Sequence, residues 1–250
     1  MLDQLQYKIL KRIAPGDPHA MDGAAYDGKS KVGLYLGDGL TDLIEDKTVI
    51  DFGCGEGADS VDLARFGAKK VIGIDIRQSV LEKAKAKAAA AGVEERCEFA
   101  TSTDTKGDVI VSLDAFEHFE NPGAILEIMY GLLKPGGCVM ACFGPTWYHP
   151  LGGHLFSVFP WAHLVFSEAA LIQWRSTIRA DGATRFSEVS GGLNQMTIAR
   201  FERLVGASKF EIERLETVPI RPLRNVHSRL TREFTTALVR AKLVGKKLRA

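Results

Sequence analysis

Only four cysteines occur in 250 residues, at positions 54, 97, 138 and 142. So few thiols exclude a disulfide-built scaffold, and these read as small apolar side chains of a reduced, cytoplasmic protein. An excess of one charge is missing too: 32 Lys and Arg against 31 Asp and Glu leave +1. That balance argues against a surface coated by nucleic acid, while leaving room for a local basic face. No apolar run approaches the ~20 residues of a membrane span; the richest, 155–166, is broken by Pro160 and His163. Asp3 and Lys8 interrupt the start, which lacks the apolar stretch of a signal peptide. No internal repeat or low-complexity tract is present. The expectation is a soluble protein, with peripheral membrane association left open. At 46% hydrophobic and 25% charged residues, the chain suffices for one well-buried α/β domain.

What the sequence does have is concentrated in two stretches. Val49-Ile50-Asp51-Phe52 runs into Gly53-Cys54-Gly55-Glu56-Gly57, and Val71-Ile72-Gly73-Ile74 ends in Asp75. An apolar strand, a glycine turn opening a helix and a second strand ending in a carboxylate form the pattern by which α/β proteins hold a nucleoside cofactor. Gly53, Gly55 and Gly57 let a ligand lie against backbone and helix N-terminus. Asp75 offers two acceptor oxygens to two ribose hydroxyls. The alternative, a tight turn with only a packing role, is weakened by the paired strands and the acid.

The glycines are spaced G-x-G-x-G rather than the G-x-G-x-x-G of dinucleotide sites, and Asp51 precedes them. In this the chain resembles the Rossmann-like (class I) S-adenosylmethionine-dependent methyltransferases. The resemblance implies that Asp51 lies near the cationic methionine end of the cofactor and that Asp75 holds its ribose. A sulfonium with an amino group has use for an extra anion, whereas a pyrophosphate does not. The same landmarks continue through Asp108–Leu113, Asp114-Ala115-Phe116-Glu117-His118 and Leu132-Leu133-Lys134-Pro135-Gly136-Gly137, the last read as a tight turn before the fifth strand. The likeness covers about residues 47–143. The expected cofactor contacts also include Cys54 in the turn, Ile76 beyond Asp75 and Leu113 at the end of strand four, with Ser102, Thr103 and Asp104 after strand three the candidates for the adenine by position.

The expected fold is a seven-stranded, mostly parallel sheet with helices on both faces. Its parts are a helical lead-in (1–46), a cofactor-binding core (47–143), an aromatic-rich insertion (144–192) and the C-terminal part of the sheet (193–250). Strands are expected near 48–52, 70–75, 96–100, 108–113, 137–143, 210–218 and 234–239, and helices near 57–66, 77–91, 123–133 and 195–208. In the lead-in, Leu2, Leu5, Ile9 and Ile13 fall on one face of a first helix, followed by a Gly- and Asp-rich loop and a second helix near 29–45. The insertion leaves the fifth strand at the carboxyl edge of the sheet, where ligands bind, and is expected to cap the acceptor. Its aromatics read equally as an accessory hydrophobic core.

Methyl transfer to a hydroxyl requires an in-line acceptor, a dry pocket and removal of a proton. His118 is the first candidate base, with Asp114 beside it; the alternative is a helix-start histidine bonded to backbone. Asp114, Glu117 and His118 also resemble, as D-x-x-E-H, the E-x-x-E-H element of ubiquinone-pathway O-methyltransferases and of methyltransferases acting on the 3′-terminal 2′-hydroxyl of small RNAs. That resemblance implies a divalent metal held by Asp114, Glu117, His118 and a downstream histidine, His154, with His149 and His163 as substitutes. From Arg221 onward nine Lys or Arg face one acid, Glu233; the cluster reads as a solvated surface or as a rim for an anionic substrate. Without an aromatic and basic stripe, nucleic acid ranks below a small-molecule, glycan or lipid-like acceptor. N- or C-methylation and a catalytically silent cofactor-binding protein stay open.

Overall fold

Strands covered on both faces are apolar along their whole length, and the first four apolar segments have this character. The computed structural model describes residues 2–16, 30–36, 39–156, 159–178, 182–188 and 192–247. Its strands are β1 Thr48–Phe52, β2 Lys70–Ile74, β3 Cys97–Ala100, β4 Gly107–Leu113, β5 Leu133–Phe143, β6 Phe210–Pro219 and β7 Thr236–Gly245. They form one seven-stranded sheet in the order β3-β2-β1-β4-β5-β7-β6. β1 to β5 are mutually parallel, and β7 runs antiparallel to both neighbours. The helices are α1 Leu2–Ile13, α2 Lys31–Leu36, α3 Leu40–Ile44, α4 Ala58–Arg65, α5 Gln78–Ala90, α6 Pro122–Leu132, α7 Ala162–Val165, α8 Glu168–Ser176, α9 Ile198–Ala207 and α10 Arg232–Thr235.

The period-two rule divides each strand between two cores. Val49, Val71, Val109 and Val111 join α2 to α5 on one face, while Ile50, Ile72, Ile110 and Val139 join α6 and α9 on the other. Cys138 and Cys142 fill the first core beside α2, so they act as the small apolar residues the sequence suggests. The glycine turn emerges at the carboxyl end of β1 and leads into α4.

Three expectations are corrected. The L-K-P-G-G segment is not a turn before β5 but part of it: Gly107 pairs with Leu133 and Val109 with Cys138, so residues 134–137 bulge opposite Asp108. A Cβ on Gly137 would lie 2.8 Å from the Asp108 carbonyl oxygen, which is why the bulge needs glycine. The last strand starts later and runs to Gly245, with Phe234 and Thr235 in α10. Arg240 and Lys242 obscured its alternation, but their charges face Glu216 and Glu213. The second lead-in helix is divided into α2 and α3 around Gly39, whose φ is 90°; the Gly- and Asp-rich loop lies outside the described residues. Leu2, Leu5, Ile9 and Ile13 do share one face of α1; that face points outward and all four are exposed, while Leu10 on another face is buried.

The insertion forms a third core with the lead-in. Leu10 and Ala14 pack with Phe156, Leu171, Trp174 and Phe186, and the Trp174 indole donates to the Ala14 carbonyl at 2.6 Å. Part of the aromatic content is therefore accessory core, while Phe159 stays exposed.

Candidate active site

The turn after β1 takes left-handed conformations at Gly53, Gly55 and Gly57, with φ of 89°, 51° and 76°. At Gly57 a Cβ would also come within 2.7 Å of the Ala84 Cβ on α5, so both conformation and packing demand glycine. A Cβ on Gly55 would meet nothing within 4 Å, so this part of the turn faces open space. Cys54, inside the turn, is buried, and desolvation holds its thiol above the ordinary range, so it is no nucleophile.

Asp51, at the end of β1, is buried and accepts a 2.5 Å hydrogen bond from the Ser60 hydroxyl. Burial, and then the neighbouring Asp59 carboxylate, push its pKa up to about 7. Asp59 is itself raised to about 6, chiefly by desolvation. This concentration of acid around one turn is costly unless a cation shares the space.

Asp75 follows β2 and has its carboxylate fixed from both sides. Gly55 N–H donates to Oδ2 at 3.0 Å and Arg77 N–H to Oδ1 at 3.0 Å. The Arg77 guanidinium adds contacts of 3.0 and 3.1 Å. Burial works against ionisation here, but the bonds from Arg77 and Gly55 prevail and the pKa lies below the usual carboxylate value. Ile76, next in sequence, is almost wholly exposed. Ser102 and Thr103 follow β3 at the same edge, Ser102 exposed and the Thr103 hydroxyl accepting from Thr105 N–H at 3.1 Å. Leu113 closes β4 from within the first core.

Beyond β4, Asp114 adopts φ 48°. Its Oδ2 pairs with Lys31 Nζ at 2.7 Å and accepts from Tyr35 at 3.4 Å, so α2 is clamped over the carboxyl ends of β1 and β4. Its Oδ1 is buried without a partner among the described residues. Glu117 is buried; Oε1 accepts from Gly144 N–H at 3.4 Å, and Oε2 has no partner among the described residues. Desolvation, then Asp114, raise its pKa to about 8, so Glu117 is protonated at neutral pH. His118 Nδ1 lies 2.7 Å from the Gly192 carbonyl. A carbonyl only accepts, so Nδ1 carries a proton, and in the neutral ring the lone pair is on Nε2. The His154 ring stands edge-on to that of His118, 5.4 Å away, and its Nε2 donates to the Pro145 carbonyl at 3.2 Å. Burial, and then His118, lower its pKa to about 4.

The four groups read as metal ligands do not gather as one. Asp114 is turned to Lys31, Glu117 to Gly144 and His154 to Pro145, while the two imidazoles stand edge-on to one another. Among the described residues no three His, Cys, Asp or Glu side chains are placed to hold a metal ion. The substitutes are occupied locally: His149 Nδ1 accepts from Leu151 N–H, and His163 Nε2 donates to the Trp147 carbonyl. Four residues here escaped the sequence reading. Lys31 and Tyr35 reach Asp114 from about eighty positions away, a contact with no local signal. Arg77, two residues after Asp75, and Ser60, on the first turn of α4, were within reach of a spacing argument.

Together, the sheet and the acid-lined glycine turn define a Rossmann-like cofactor-binding unit. A family model described as a methyltransferase domain matches residues 43–145, the stretch that carries this turn, Asp75 and the segment after β4. Residues 43–145 are thus similar to a methyltransferase domain, a match that covers less than half of the chain. The chain is 41% identical over 92 residues to the ribosomal protein L11 methyltransferase of Vibrio cholerae, covering 36% of this chain and 31% of that protein. It is 37% identical over 109 residues to the ubiquinone biosynthesis O-methyltransferase of Neisseria meningitidis, covering 41% and 45%. The chain thus spans less than half the length of these curated relatives. Magnesium protoporphyrin IX methyltransferase from Synechocystis PCC 6803, solved with bound S-adenosylhomocysteine, superposes with a TM-score of 0.52 at 18% identity, covering 98% of this chain and 96% of that one. At that identity the likeness concerns the fold. No helix among the described residues is long and apolar enough to cross a membrane.

Proposed function

We propose that this chain transfers a methyl group from S-adenosylmethionine to a hydroxyl of a small-molecule, glycan or lipid-like acceptor. The observation that carries the reading is the buried Asp51 and the backbone-fixed Asp75 on either side of a left-handed glycine turn. These residues fit the cofactor. Asp51 supplies the anion for a cationic methionine end, and Asp75 supplies two acceptors for a ribose once the exposed Arg77 side chain swings aside. When bound, the cofactor provides an electrophilic methyl on sulfur. Everything else falls to the protein: place the acceptor in line, exclude water and take up a proton.

His118 is suited to the last task. Its Nδ1 is anchored on Gly192, which fixes the ring and leaves Nε2 as the proton acceptor. The adjacent His154 stays neutral and adds no competing charge. Glu117, protonated and buried, holds the Gly144 backbone where β5 leads into the insertion, so it positions rather than accepts protons. The buried oxygens of Asp114 and Thr146 that lack partners among the described residues offer acceptors for a polar substrate. Residues 144–192 would then close over the acceptor.

The test is calorimetry with S-adenosylhomocysteine followed by a methyl-transfer screen across hydroxyl, amine and carbon acceptors. Cofactor binding with turnover only on hydroxyls supports the proposal. Turnover only on amines replaces the oxygen acceptor with nitrogen, and binding without turnover on any class points to a silent cofactor-binding protein.

A further inference from the structure

Helix α1 carries an apolar face that is exposed among the described residues. Leu2, Leu5, Ile9 and Ile13 are 66%, 56%, 44% and 48% exposed. At 3.6 residues per turn they share an arc of about 80°. Their outward orientation is set by the other face. Asp3 and Gln6 accept from the Ser167 hydroxyl and N–H at 2.6 and 2.7 Å, Leu10 enters the third core, and Lys11 donates to Thr177 at 3.1 Å. The helix is therefore locked onto α8 and cannot roll inward to bury the four side chains.

The charge around that face has one sign. Lys8 and Arg12 are exposed along one margin of the arc, and neither pairs with a carboxylate among the described residues. Asp3, the only acid in the helix, is held by Ser167 on the docked side. Val165, 65% exposed, lies two residues before Ser167 and so extends apolar surface beside the first turn of α1.

We infer that this face of α1 docks on an anionic lipid bilayer. A convex ridge of four aliphatic side chains offers a few hundred Å² at most, well below the ~800 Å² per partner of a stable protein interface. It matches an interfacial helix, whose aliphatic side chains enter the headgroup boundary while flanking Lys and Arg reach the lipid phosphates. The inference is independent of the chemistry proposed above.

The experiment is co-sedimentation of the full chain with vesicles of phosphatidylcholine alone or with about a third phosphatidylglycerol, each basic residue near the surface contributing about five-fold in affinity. Binding should favour the anionic vesicles by about ten-fold or more and weaken at high salt. Leu5→Asp/Ile9→Asp and, separately, Lys8→Glu/Arg12→Glu should each reduce it at least ten-fold, with unchanged circular dichroism and S-adenosylhomocysteine affinity. Absence of binding to anionic vesicles, or binding that survives both variants, overturns the inference. So does a dimer in sedimentation velocity that Leu5→Asp/Ile9→Asp converts to monomer, which would assign the face to a second copy.

Discussion

Asp75→Ala is the substitution whose effect the geometry specifies most closely. Two hydrogen bonds from ribose hydroxyls to a carboxylate contribute roughly 1.5–3 kcal/mol each. Against this stands the release of the Arg77 guanidinium, whose side chain is half exposed, so the pair is worth about 1 kcal/mol or less after solvent screening. The remaining loss of about 2–5 kcal/mol corresponds to a decrease in S-adenosylhomocysteine affinity of at least tenfold. The alanine also leaves Gly55 N–H without its acceptor, which loosens the turn itself. Arg77→Ala should act in the opposite direction, because it removes a competitor for the same oxygens while backbone bonds still hold the carboxylate. Titration calorimetry on both variants reads the two signs. An Asp75→Ala protein that binds like wild type, or an Arg77→Ala protein that loses affinity as strongly, would refute the reasoning.

Other expectations follow from the same contacts. Glu117 is protonated when folded, up to about pH 8, and ionised when unfolded above its ordinary value of 4.5, so the folded state binds more protons between those pH values and stability should fall as pH rises through them. Glu117→Gln should flatten that fall in thermal melts taken across the window; an unchanged pH profile would return Glu117 to an ordinary carboxylate. His118→Ala should reduce turnover by roughly 10² to 10⁴ with cofactor affinity intact, and a chelator should leave wild-type turnover unchanged because the donor atoms do not converge; loss of activity in chelator, restored by a divalent ion, would reinstate the metal reading. Trp174→Ala removes the centre of the third core and should cost about 3–5 kcal/mol. Hydrogen exchange should then accelerate in α1 and α8 while the β1–β4 amides stay protected, and uniform acceleration would deny the cap its separate core.

Most of the parallel half of the sheet was legible because β1, β2, β4 and β5 each carry their own evidence: an apolar run, then a glycine or carboxylate at its carboxyl end. Asp51, the three glycines and Asp75 stood out through their spacing and the family resemblance, and the structure gathers them around one turn. Less legible were features set by partners distant in sequence. The strand from Thr236 to Gly245 hides its period because Arg240 and Lys242 are neutralised by glutamates on β6. Helix α1 shows a well-formed apolar face, yet hydrogen bonds to Ser167 and the packing of Leu10 decide which side is buried. The D-x-x-E-H spacing was similarly deceptive. Oδ2 of Asp114 is committed to Lys31 and Oε1 of Glu117 to the Gly144 N–H, partners that spacing does not encode.

The central claim is that the acids around the glycine turn bind S-adenosylmethionine rather than a dinucleotide. Parallel calorimetric titrations of the full chain with S-adenosylhomocysteine and with NAD test it directly. Saturable one-site binding of S-adenosylhomocysteine, with NAD weaker or undetectable, is the predicted result. NAD binding more tightly than S-adenosylhomocysteine would contradict it.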